Sequence, residues 1–307
     1  MIYNIISTFF SPIYLYHSVT YNETNYPKLN SSIHDVNYDE VCSQLRDLSK
    51  NMDFVSIDEW FETKNKKGIA TITFDDAYLN IFEGIIRELI TLNIPSTVFL
   101  IGKSLDNKLH WREKVVFLIN NDLLKKFEEY LISVNNNSLM IDFKKFYSST
   151  KAKNVSSILI EKYIDEFLLE NNINIKSKLI SSSTDLVSNK YVTYGNHSYN
   201  HYLLSTLDYD KQFFEIKTGL DKLVEEKLNF TKTFSVPFGG VQSINKDSLK
   251  IFEKLSIKNV LLTTNSFQPI KNDIKELNIA YRYLPINQNK NKYKLAISVL
   301  KSFKNFF

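Results

Sequence analysis

Two adjacent carboxylates, Asp75 and Asp76, close the apolar run "IATITF" at 69–74. Successive side chains on a strand point to opposite faces, so two acids at one strand end cannot both serve packing. Capping of a following helix accounts for one of them but hardly for both. Much later, "GNHSYNH" at 195–201 sets His197 and His201 four residues apart. In a helical turn that spacing puts both imidazoles on one face, where they can share a metal ion. Taken alone, the pair reads more simply as two polar loop histidines. Beside Asp76 it becomes a two-histidine, one-carboxylate set that leaves coordination positions open for water, as catalytic centres do. A divalent cation lowers the pKa of such a water and polarises a carbonyl. The reaction then needs a base, and Asp75, on the other face, is available. One carboxylate holds metal and its neighbour handles protons.

The elements that must position these groups follow from hydrophobic patterning. "PIYLYH" at 12–17 reads as a strand ending in a histidine, and "GIATITF" (68–74) and "PSTVFLIG" (95–102) as buried strands. Asn37 can cap a helix whose Val41, Leu45 and Leu48 share one face, and Ile81, Ile85 and Leu89 form the next helical stripe. Strand candidates resume at "YVTYG" (191–195), "TFSVPFGG" (233–240), "NVLLTT" (259–264) and "IAYRYL" (279–284), with a helical stripe at Phe213, Ile216, Leu220 and Leu223. The alternation predicts an α/β fold with parallel strands. Between about 105 and 188, "WREKVVFLIN", "DLLKKFEEYLI" and "SSILIEKYIDEFLLE" are helical in pattern, so this stretch reads as a mostly helical insertion. The whole, 1–307, reads as one domain carrying that insertion.

Composition narrows the partners. A net charge of +4, with no basic block interleaved with aromatics in the body of the chain, argues against nucleic-acid binding. With Cys42 as the single cysteine, an internal disulfide and a cysteine-based metal site are both excluded. The N-terminal "MIYNIISTFFSPIYLYHSV" lacks a basic leader and is interrupted by Asn4, Ser7 and Ser11–Pro12, so it reads neither as a signal peptide nor as a spanning helix. The expectation is a cytoplasmic protein. The C-terminal "KYKLAISVLKSFKNFF" is basic and amphipathic. It reads first as a helix packed on the core, with peripheral contact at the inner membrane surface as the alternative.

"TFDDA" (73–77) and "HSYNH" (197–201) resemble the first two signature motifs of the polysaccharide deacetylases, the NodB-like carbohydrate esterase family 4. "YHSV" (16–19), "VSIDEW" (55–60), "IPSTVFL" (94–100) and "FSVPFGG" (234–240) fall in the order expected of that family, so the resemblance spans most of the chain outside the insertion. It implies a distorted (β/α) barrel of about seven parallel strands. It also implies that Asp75 is the general base and that Asp76, His197 and His201 hold a divalent metal, Zn²⁺ by preference. The implied activity is metal-dependent hydrolysis of an N-acyl group, acetyl above all, on an amino sugar of a glycan or glycan precursor.

Two departures stand out. The third motif, commonly R-x-P-Y/F-G, here reads Ser235–Val236–Pro237–Phe238–Gly239, without the arginine that steadies the base. Pro237 and the main-chain N–H of Phe238 can still support an oxyanion. Arg282 is a candidate replacement cation, with an ordinary surface arginine as the alternative. The C-terminal L-x-H motif is also missing, because no histidine follows His201. For the acid that protonates the leaving amine, His17 is favoured over His34, in a polar loop, and His110, in "LHWRE". A hydrogen-bonded core histidine is the alternative for His17. His110, Trp111 and Arg112 read as sugar contacts or, more conservatively, as a helix cap and a packing aromatic. Two rival functions remain at this stage: a non-catalytic carbohydrate-binding relative, and a hydrolase of a non-sugar amide.

Overall fold

The structure is a computed structural model and describes residues 2–20, 36–134, 139–176, 180–263, 267, 277–285 and 292–306. His34 lies outside the described residues. Seven strands form the core: β1 (Ile13–Tyr16), β2 (Ile69–Phe74), β3 (Ser96–Leu100), β4 (Val192–Asn196), β5 (Phe230–Ser235), β6 (Asn259–Thr263) and β7 (Asn278–Tyr283). Each pairs in parallel with the next, and β1 pairs with both β2 and β7, which closes a seven-stranded parallel barrel. Closure is seen in the register, where Ile13 of β1 lies opposite Thr71 of β2 on one side and Arg282 of β7 on the other. Strands covered on both faces need apolar or hydrogen-bonded side chains throughout. Accordingly β3 is buried at every position, with Val98, Phe99 and Leu100 at its apolar end.

Helices bridge successive strands. The Val41, Leu45, Leu48 stripe lies on a helix over Tyr38–Ser49, capped by Asn37, whose side chain accepts from the N–H groups of Asp39 and Glu40. The Ile81, Ile85, Leu89 stripe is split into two short helices, Leu79–Glu83 and Ile85–Thr91, by Gly84 at φ −134°, ψ −82°. A 17-residue helix, Tyr209–Glu225, crosses from β4 to β5.

Between β3 and β4 the chain is helical, with helices at Trp111–Asn120, Leu124–Ser133 and Ser157–Glu170. This region has its own apolar core, including Trp111, Val115, Phe127, Ile160, Ile164 and Phe167. Burial of each such side chain is worth about 1.5–3 kcal/mol, which explains how the region holds its shape away from the barrel. It is also tied to the barrel by charge. Buried Glu161 accepts from Lys103 (2.6 Å), just after β3, and from Lys114 (2.8 Å), and it hydrogen-bonds the hydroxyl of Tyr202.

The two ends of the chain meet below the barrel. The rings of Phe9 and Phe10 lie 5.3 and 4.9 Å from that of Phe303, and the C-terminal helix Lys292–Phe306 buries Leu295, Val299 and Ser302. Its outward face carries Ile297 and Leu300. No helix among the described residues is long and apolar enough to cross a membrane.

Candidate active site

Active groups of parallel barrels gather at the carboxyl ends of the strands, and here β2 and β4 deliver them. The ladder runs one residue past β2: the N–H of Asp75 donates to the carbonyl of Tyr16 at 2.9 Å. The chain then leaves extended geometry, with Asp76 at φ 66° and Ala77 at φ 56°. Such left-handed residues are strained unless surroundings hold them. Ser181 does so, donating both its N–H (2.9 Å) and its hydroxyl (2.8 Å) to the carbonyl of Ala77. This corrects the strand-based expectation. Asp76 lies beyond the strand, and the left-handed turn brings it to the same cleft as Asp75 rather than to the opposite face. Neither aspartate caps the next helix, whose first turn has no side-chain cap.

The histidine pair is also reached differently from the helical-turn expectation. After β4 the chain forms a loop with Ser198 at φ 63° and His201 at φ 60°. Asn196 Oδ1 accepts from the N–H of Ser198 (2.9 Å), and Ser198 Oγ accepts from the N–H of His201 (3.0 Å). This loop folds the two rings together, with centroids 4.7 Å apart. Gly219, in the middle of the long crossover helix, permits this loop. A Cβ there would sit 2.3 Å from Asn196 Oδ1 and 3.0 Å from the backbone of Ser198. Gly219→Ala is therefore expected to push the loop out of place. Overpacking of this kind costs about 1–3 kcal/mol. Chelator competition is expected to show metal affinity lower by about ten-fold or more, as for other disturbed ligand supports; unchanged affinity would remove Asn196 from the site.

The three ligand candidates converge. His197 Nε2 and His201 Nε2 each lie 3.4 Å from Asp76 Oδ1 and 3.2 Å from each other. Ligands at about 2.0–2.1 Å from a tetrahedral ion are separated by roughly 3.3–3.4 Å, so the triangle has the size of one coordination face. The donor chemistry agrees. His197 Nδ1 faces the carbonyl of Ser235 at 2.8 Å, which selects the tautomer with its lone pair on Nε2. Asp76 Oδ1 is buried without a hydrogen-bond partner, a costly state that a cation would relieve. Burial opposes the charge on Asp76, yet the facing His201 and His197 hold its carboxyl well below the usual range. Burial also holds His201 well below the ordinary histidine value, so it is neutral and able to ligate.

Asp75 stands beside this triangle, with its Oδ2 3.7 Å from His197 Nε2. Arg282 is not a surface residue: it is fully buried on β7 and donates from both terminal nitrogens to the two oxygens of Asp75, each at 2.7 Å. Ser235, at the arginine position of the third motif, donates to Asp75 at 3.1 Å and accepts from Arg282 at 2.9 Å. A small side chain on β5 thus leaves room for a guanidinium from β7. Burial would raise the Asp75 carboxyl, but Arg282 and His197 hold it below the ordinary aspartate value.

The sequence model of the polysaccharide deacetylase family matches residues 62–260, about two thirds of the chain. This chain belongs to the polysaccharide deacetylase family. A search of the curated proteins returns no significant match. Among solved structures, the Streptococcus pyogenes deacetylase PplD in complex with acetate aligns at a TM-score of 0.54 and 16% identity, over 93% of this chain and 97% of that one. IcaB from Ammonifex degensii aligns at 0.54 and 14%, over 94% and 97%. BC0361, a polysaccharide deacetylase from Bacillus cereus, aligns at 0.53 and 13%, over 96% and 68%. At these identities the likeness is one of fold.

In this polysaccharide deacetylase family member the metal-ligand candidates open onto a cleft of about 220 Å³. His17, at the end of β1, lines it beside Asp75, and burial lowers its pKa although Asp76 and Asp75 oppose that. Phe238 lines it too, at φ 63° in a tight turn closed by the Gly239 N–H on the carbonyl of Val236 (3.0 Å). Pro237 forms the first corner of that turn and does not reach the cleft. His110 is a helix cap, accepting from the N–H of Arg112, and buried Trp111 donates from Nε1 to the carbonyl of His201 at 3.0 Å. Arg112, by contrast, does line the cleft, together with Tyr147 and Lys151 from the helical region. Asn196, Tyr147 and Lys151 escaped the sequence reading, and Ser235 was read only as the residue in the place of the motif arginine. Only Gly219, a glycine inside an otherwise regular helical stripe, offered a local hint of close approach.

Proposed function

We propose that this chain is a metal-dependent hydrolase that removes an N-acetyl group from an amino sugar of a glycan or glycan precursor. One observation carries the reading: three buried ligand atoms 3.2–3.4 Å apart, with an arginine-steadied carboxylate next to them. Asp76, His197 and His201 would hold the metal, Zn²⁺ by preference. When bound, the cation polarises the acyl carbonyl and lowers the pKa of water.

The chain's own residues do the rest. Asp75 accepts a proton from the attacking water, and Arg282 and Ser235 keep its oxygens aimed. The N–H of Phe238 donates to the oxyanion that develops on the acyl oxygen, a role that depends on backbone direction rather than on side chain. His17 gives a proton to the departing amine. The rival reading, a binding protein without chemistry, drew on the missing motif arginine and the missing C-terminal histidine; Arg282 on Asp75 supports the catalytic reading on the first count, and His17 is proposed for the second.

Acetate release from a panel of N-acetylated amino sugars and simple N-acetyl amides tests this. Chelation is expected to abolish release and Zn²⁺ to restore it, with His201→Ala binding less than one metal per chain and staying inactive. Acetate release that persists after chelation would sink the metal role. Release from simple amides alone would move the substrate away from sugars.

A further inference from the structure

The wall of the cleft supplied by the helical region carries two cations that form no ion pair among the described residues. Apart from two tyrosines, the ionisable residues lining the cleft are His17, Asp75, Asp76, His197, His201, Arg112 and Lys151. Asp75 is matched by Arg282, and Asp76 is shared by two imidazoles. Arg112 and Lys151 are left, and neither makes an ion pair among the described residues. Arg112 is buried and held by neutral acceptors only, Thr150 Oγ1 at 2.8 Å and the carbonyl of Tyr147 at 3.1 Å. Both cations lie against one ring: the Arg112 guanidinium carbon is 4.2 Å and Lys151 Nζ 4.3 Å from the centroid of Tyr147. Lys151 Nζ is also 6.0 Å from the Phe238 ring, which in turn stands 4.8 Å from that of His201. Lys151 therefore sits one aromatic ring away from His201, and Arg112 stands beside it across Tyr147.

Holding two like charges together in a half-closed space is costly unless an anion joins them. The cost is visible at Lys151: burial, and then Arg112, push its amine down to about 7, although Asp76 opposes the shift. An N-acetyl amide brings no charge to offset this. A guanidinium beside an ammonium is a combination that recognises phosphoryl and carboxylate groups.

We propose that the sugar acted on here bears an acidic group, phosphoryl or carboxylate, close to the N-acyl substituent, and that Arg112 and Lys151 bind it. This rests on the amino-sugar reading above and names the substrate class for the same cleft.

The test uses binding of deacetylated sugars, which cannot turn over, to the purified full-length protein. Titration calorimetry compares glucosamine, glucosamine 6-phosphate and muramic acid. At least one acidic sugar is expected to bind about ten-fold or more tighter than glucosamine, as charge-assisted hydrogen bonds allow, and the one preferred identifies the group. Lys151→Gln is expected to bring that ratio to within about three-fold, a loss of most of the charge-assisted contribution. A phosphate that merely ligates a metal would keep its advantage in Lys151→Gln, and that result overturns the proposal. Equal binding of all three sugars, or none at all by the acidic ones, overturns it as well. The two readings fail separately: absence of acetate release from any N-acetyl sugar removes the deacetylase reading, whereas absence of an acidic preference removes this one.

Discussion

Asp75→Asn is expected to lower the turnover of N-acetylated sugar by about 10³-fold, within the range for loss of a general base, while leaving metal content at the wild-type level. The separation follows from position. Asp75 Oδ2 is 3.7 Å from His197 Nε2 and its oxygens are taken by Arg282 and Ser235, whereas Asp76 Oδ1 faces both imidazoles at 3.4 Å. An asparagine keeps the shape and can still accept from Arg282, but it cannot take a proton from water. The check is paired: acetate release with metal analysis on the same samples. Turnover equal to wild type would show that Asp75 is not the base. Loss of metal along with turnover would place Asp75 among the ligands.

Arg282→Met is expected to act on stability and on the pH profile together. Breaking a buried ion pair by removing one partner costs about 3–5 kcal/mol, because the remaining charge has no compensation. Arg282 is wholly buried and Asp75 almost so. The sign of the pH effect follows from the opposing influences on Asp75. Burial raises its carboxyl and Arg282 leads the groups that lower it. In the wild type the depressed value means that the pair's stabilisation is complete above the unfolded aspartate value of about 3.9 and is lost as pH falls through the folded one. Without Arg282, burial dominates and the carboxyl rises. The base is then protonated at higher pH, so the acidic limb of kcat/KM moves toward neutrality. Activity relative to wild type should be worse at pH 5 than at pH 8. A uniform loss across pH would mean that Arg282 only supports the fold. Arg282→Lys should recover less than the charge alone suggests, since an ammonium cannot place parallel donors on both carboxylate oxygens and reach Ser235.

Seven strand segments were legible from composition because each is short, apolar and flanked by polar turns, and strands buried on both faces must look that way. The helical region between β3 and β4 was legible because its stripes run long enough to distinguish period 3.6 from period 2. Strand alternation misplaced Asp76, because the rule holds only while the backbone stays extended. The turn at φ 66° depends on Ser181, more than one hundred residues away, holding the Ala77 carbonyl. The helical reading of His197 and His201 failed for a related reason. Their loop is shaped by Asn196 and by the absence of a side chain at Gly219, neither of which marks four-residue spacing.

What the amino-acid sequence determined by itself was the inventory: an aspartate pair at a strand end, a histidine pair after another strand, and an order of elements that brings strand ends to one rim. Those are local properties, carried by residue type and by the period of burial. What only the tertiary structure decided was partnership. Arg282 meets Asp75 across 207 positions of chain, and Arg112 and Lys151 reach the cleft from a region that looked peripheral. The physical reason is barrel closure, which sets β7 beside β1 and β1 beside β2, so that a charge late in the chain can be buried only against a carboxylate early in it.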